Sequence, residues 1–96
     1  MDINSFKESL TNNTPPAGIR AELKALWFEA KGDWNKAHRI VQNLDSSEAA
    51  WVHAYLHRKE GSINNADYWY SRAGRAMSGV SLDEEWQTIA EAFLTL

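Results

Sequence analysis

Cysteine is absent from the 96 residues, which excludes disulfides and thiolate chemistry and leaves the redox compartment open. Glycine is scarce and scattered. Its five copies stand singly, so the clustered glycines that cradle a phosphate are missing and each reads as a helix stop. Proline occurs only as the pair Pro15-Pro16. No apolar run approaches the roughly 20 residues needed to span a bilayer. The opening Met1-Asp2-Ile3-Asn4-Ser5-Phe6-Lys7-Glu8 has neither a cationic nor an uninterrupted apolar segment, so no cleaved secretory signal is expected and the cytoplasm is the expected compartment. No stretch alternates apolar and polar residues for long enough to make a strand, and none is low in complexity.

What is present is the composition of a folded protein. Hydrophobic residues at 44% and charged residues at 24% argue against disorder, and the length fits one domain over residues 1–96 with a single core. The net charge of −3 opposes a polyanionic partner, so nucleic acid is disfavoured. The charges are uneven along the chain. From Ser81 onward Asp83, Glu84, Glu85 and Glu91 meet no Lys or Arg, whereas Arg58, Lys59, Arg72 and Arg75 crowd the preceding segment. Two solvated faces are the simplest account of that asymmetry. A partner site is the sharper one.

Apolar periodicity predicts an all-helical chain of about six helices. Ile3, Phe6 and Leu10 give a first helix over about 2–11. Thr14-Pro15 reads as an N-cap with proline at the first helical position, starting a second helix that runs to Lys31 and carries Ile19, Leu23, Leu26, Trp27 and Ala30 on one face. Gly32 stops it, and Asp33 caps a third helix striped by Ala37, Ile40, Val41 and Leu44. Asp45-Ser46-Ser47-Glu48 resembles a capping box with Asp45 as cap, opening a fourth helix over about 46–60. Gly61 closes it. Ser62 caps a fifth, which runs to about Met77 before Ser78-Gly79-Val80 breaks the pattern. Ser81-Leu82-Asp83-Glu84 opens a terminal helix over about 81–96, striped by Trp86, Ile89, Ala90, Phe93 and Leu94, which is expected to cap the stack.

Two of these segments repeat. Lys31-Gly32-Asp33-Trp34-Asn35-Lys36-Ala37 and Glu60-Gly61-Ser62-Ile63-Asn64-Asn65-Ala66 occupy the same place in successive helical hairpins, 29 positions apart. Ala66, Trp69, Tyr70 and Ala73 then fall at the positions of Ala37, Ile40, Val41 and Leu44. Gly32-Asp33-Trp34 with Ala37 and Val41 resembles the middle of a tetratricopeptide repeat, and Gly61, Ala66 and Tyr70 repeat the match. Sel1-like repeats are an equally close comparison. The resemblance covers about residues 20–75, as one repeat over about 17–45 and a second over about 46–75. It implies a short right-handed superhelix of antiparallel helices whose first helices line a groove for peptides or partner helices. Such repeats serve as binding platforms more often than as reaction centres.

No pattern marks a nucleophile with its base or a pair of carboxylates with separated roles, so no enzyme activity and no cofactor are expected. His53 and His57, at i and i+4, place two imidazoles on one helix face where they could share a metal ion. Residue 54 is Ala, so the His-Glu-x-x-His arrangement of metalloproteases is absent, and His38 or carboxylates would have to complete a ligand set. Aromatics and cations interleave over Trp51–Lys59 and Tyr68–Arg72, as on single-stranded nucleic-acid surfaces. Core packing accounts for Trp69, Tyr70 and Tyr55. Trp51 lies at the margin of its helix's apolar face and reads as an exposed anchor.

Assigning the apolar stripes to the core leaves Trp51, His53, His57, Arg58, Tyr68 and Arg72 as the expected binding residues for a protein or peptide. In that reading the arginines engage acidic groups, Trp51 and Tyr68 give apolar contact, and the histidines exchange hydrogen bonds. A metal-binding protein using His53 and His57, or a self-associating structural protein that buries Trp51 in a homodimer, are the alternatives.

Overall fold

The computed structural model describes residues 1–77 and 79–96; Ser78, within the expected break at Ser78-Gly79-Val80, lies outside the described residues. Six α-helices form among the described residues, α1 (Ile3–Glu8), α2 (Ala21–Ala30), α3 (Trp34–Gln42), α4 (Ser47–Glu60), α5 (Ile63–Ala73) and α6 (Leu82–Leu94), with a 3-10 turn at Ser9–Thr11 after α1. There is no strand among the described residues, and no helix is long and apolar enough to cross a membrane.

Short polar side chains set most of the helix starts by accepting amide hydrogens that lack an intrahelical partner. Asp2 accepts from Ser5 N at 2.8 Å, Asp33 from Lys36 N at 3.1 Å and Ser81 from Glu84 N at 3.1 Å. α4 is capped by Ser46, which accepts from Ala49 N at 3.0 Å, and not by Asp45 as the capping-box reading expected. Ser62 precedes α5 without capping it, and its hydroxyl accepts instead from Asn65 Nδ2 at 2.8 Å.

The second helix starts at Ala21, six residues later than the Thr14-Pro15 signal predicted. Proline at position 16 disfavours the α conformation for Pro15, and Gly18 adopts φ +79°, so this segment turns before the helix can begin. α5 likewise ends at Ala73 and not near Met77, because Gly74 takes a left-handed conformation.

Gly32 and Gly61 close α2 and α4 in the same way. Their φ values are +91° and +87°, and the amides of Asp33 and Ser62 reach back five residues to Phe28 O and His57 O at 2.9 Å. This double closure satisfies the last carbonyls and turns the chain sharply, so α2 folds onto α3 and α4 onto α5.

α4 is the central element, packed by α2, α3, α5 and α6. Every residue from Ala49 to Leu56 is buried, so this helix has no solvent face over two turns. α6 lies across α1, α2 and α4 and buries Trp86, Ile89, Ala90 and Phe93. Phe6 of α1 stacks on Trp86 at 5.7 Å between ring centres. The buried indoles are hydrogen-bonded where the fold needs it: Trp27 Nε1 donates to Ser9 Oγ at 3.1 Å and Trp86 Nε1 to Leu26 O at 3.1 Å.

Candidate functional site

The central position of α4 redistributes the six expected binding residues. Trp51 is 6% exposed, meets Phe93 edge to face at 5.8 Å, and is covered by the Arg75 guanidinium 3.4 Å from its ring centre. The expectation of an exposed Trp51 anchor is therefore corrected: helices on all sides of α4 leave no margin to its apolar face. His53 is 4% exposed and also belongs to the interior.

Arg58 is held by the protein itself. Its Nη1 donates to Glu85 Oε1 at 2.7 Å and its Nη2 to Val80 O, while Tyr70 OH donates to Glu85 Oε2 at 2.6 Å. Glu85 is 4% exposed, and two donors compensate its buried charge. Burial, then the hydrogen bond to Glu85, pushes the Tyr70 phenol above its ordinary range. Lys59 pairs with the buried Glu29. Two of the four cations that the sequence crowds together thus neutralise interior carboxylates.

Tyr68 and Arg72 remain at the surface. Tyr68 is 54% exposed, Arg72 Nη1 donates to its hydroxyl at 3.2 Å, and the same guanidinium lies 5.3 Å from the ring centre of Trp69. Arg72 borders a small groove lined by Gln42, Leu44, Asp45, Ser46, Ala50 and Trp69. Neither Arg72 nor Arg75 forms an ion pair among the described residues.

The histidines form the densest polar cluster. The spacing of four along α4 puts His53 and His57 on one face, where their rings stack at 4.9 Å, and the α3–α4 packing brings His38 against both. His38 Nε2 and His53 Nε2 are 3.0 Å apart, so one of the two carries the proton between them. His57 Nδ1 donates to Glu60 Oε1 at 2.7 Å. Indoles wall the cluster on two sides: Trp69 stacks on His53 at 3.8 Å, and Trp34 stacks on His38 at 4.9 Å while its Nε1 donates to Leu56 O at 2.8 Å.

Chain comparisons give no family for this arrangement. The sequence matches no protein-family model, no curated protein and no solved structure.

The electrostatics of the cluster follow from its enclosure. Burial, then the neighbouring His38 and His57, pushes His53 down to about 4, and burial, then His57, lowers His38 from its ordinary value. His53 is therefore neutral at neutral pH, with a proton on one ring nitrogen and a lone pair on the other. Its Nδ1 is buried without a hydrogen-bond partner.

In the sequence His53 and His57 share one helix face and His38 is a conditional third member, while the residues expected at the site leave out Trp34, Trp69 and Glu60. Two spacings carried that information. Trp34 and His38 share a face of α3 at i and i+4, and His57 and Glu60 share a face of α4 at i and i+3. What no spacing supplied was the register between α3 and α4.

Proposed function

We propose that the chain is a non-enzymatic binding module, built of two diverged tetratricopeptide-like hairpins, that takes an acidic segment of a partner protein on the α5 side of the second hairpin. The observation that carries this reading is the pair Arg72 and Arg75, exposed and without carboxylate partners among the described residues. Other cations of the same hairpin are occupied by Glu85 and Glu29. Arg72 offers a planar fork suited to a carboxylate, and Tyr68 beside it offers an aromatic surface that loses little conformational freedom on contact. The like closure of the two hairpins at Gly32 and Gly61 supports their kinship as repeat units.

The test is binding of acidic and charge-reversed peptide arrays by the intact chain and by Tyr68→Ala/Arg72→Glu. Both substitutions lie at the surface, so the variant should melt with the parent. Selective capture of acidic peptides, lost in the variant and weakened by salt, is the expected result. Equal capture by both proteins, or no preference for acidic sequences, rejects the site.

A further inference from the structure

We propose that His38, His53 and His57 form a binding site for one divalent ion of the zinc class. One ligand atom from each of the three imidazoles lies within 4.8 Å of the other two, and the Nε2 atoms of His38 and His53 are 3.0 Å apart. Nitrogens that share a tetrahedral ion at about 2.0–2.1 Å stand roughly 3.3–3.4 Å from one another. One edge of the triangle is thus already near its metal-bound length, and the others close by rotation of half-buried side chains.

The third ring is oriented for the task. The Glu60 carboxylate at His57 Nδ1 fixes the proton on that nitrogen and leaves Nε2 with its lone pair, the carboxylate–imidazole pairing that commonly backs a metal-bound histidine. The proton held between the Nε2 atoms of His38 and His53 passes to an Nδ1 of its ring when both Nε2 lone pairs turn to the ion. An apolar side chain of similar volume would fill the His53 position without leaving a buried nitrogen unpartnered, so packing alone gives no reason for an imidazole there.

The ligand chemistry selects the ion. Three imidazoles suit zinc, nickel and copper, whereas calcium and magnesium require oxygen. Three protein nitrogens leave a fourth tetrahedral position for water or another small ligand, on the side where His38 and His57 are only half-buried.

Tag-free protein stripped with chelator and titrated with zinc chloride at about pH 7.5 tests the site. One ion per chain with micromolar or tighter affinity, and a melting temperature raised by zinc and restored by chelator, is the expected result. His57→Gln and His38→Gln, at half-buried positions, should each weaken binding roughly tenfold or more, and Glu60→Gln by a smaller factor with unchanged stoichiometry. Cobalt(II) titration reads the geometry through the intense visible absorption of a four-coordinate site, which His57→Gln should abolish. The proposal is overturned if zinc uptake does not saturate. It is equally overturned if a His38→Gln/His57→Gln variant with the parent's circular dichroism binds zinc as tightly as the parent. This inference stands apart from peptide binding at Tyr68 and Arg72, and either can fail alone.

Discussion

Glu85 shows how single residues in this chain divide between stability and availability. Its carboxylate is buried but receives one hydrogen bond from Arg58 and one from Tyr70. Tyr70→Phe removes one donor and leaves Oε2 unpartnered in the interior, which should cost about 1–3 kcal/mol of unfolding free energy near neutral pH. The same pair sets an alkaline dependence. The native Tyr70 phenol titrates above its ordinary value, so past about pH 10 the unfolded chain releases a proton that the native chain keeps, and stability falls as pH rises. That contribution is complete below the unfolded value and is lost toward the native one. Urea unfolding at about pH 8 and about pH 11 should therefore show the gap between parent and Tyr70→Phe narrowing at the higher pH. Trp51 belongs to the same ledger of interior residues. Trp51→Ala should destabilise by about 3–5 kcal/mol through the cavity left beside Phe93, and calorimetric melting would register it. A variant that melted with the parent would return Trp51 to the surface.

At the scale of elements, helix starts and stops were largely legible because their causes are local. Asp33 and Ser81 cap as their positions in the sequence indicate, and Gly32 and Gly61 stop helices because no other residue takes φ near +90° without strain. Gly61→Ala meets no neighbouring atom within 4 Å, so its cost is backbone strain alone, about 1–2 kcal/mol, measurable as a lowered urea midpoint with an unchanged slope. The misplaced start of α2 is also local in cause: proline after proline and a left-handed Gly18 outweigh a favourable cap at Thr14. α4 was the element read least well. A stripe analysis assumes that one face meets solvent, yet Ala49-Ala50-Trp51-Val52 and Ala54-Tyr55-Leu56 are apolar almost all round, which is the pattern of a helix enclosed on every side. Reading that run as central would have removed Trp51 and His53 from the exposed set. The meeting of His38 with His53 and His57 depends on how α3 docks on α4, and helix register is a tertiary property that no single helix encodes.

For the whole molecule the question is whether two hairpins act as stacked units or as one core. The radius of gyration, 12.3 Å, is that of a compact domain of this length, for which about 12.5 Å is typical. α6 supplies the reason. Trp86 donates to Leu26 O of the first hairpin while Phe93 meets Trp51 of the second, so one helix ties both hairpins together. Burying Trp86, Ile89 and Phe93 contributes roughly 5–9 kcal/mol, comparable with the entire stability of a domain of this size. A terminal helix that merely capped a stack of repeat units would leave the hairpins folded when removed, with a weaker but still cooperative transition. Truncation before Ser81 should instead expose Phe6 and Trp51 together and abolish cooperative urea unfolding. A truncated chain that kept a sigmoidal transition and native-like near-ultraviolet dichroism would show that the hairpins hold each other without α6 and that this helix is a cap.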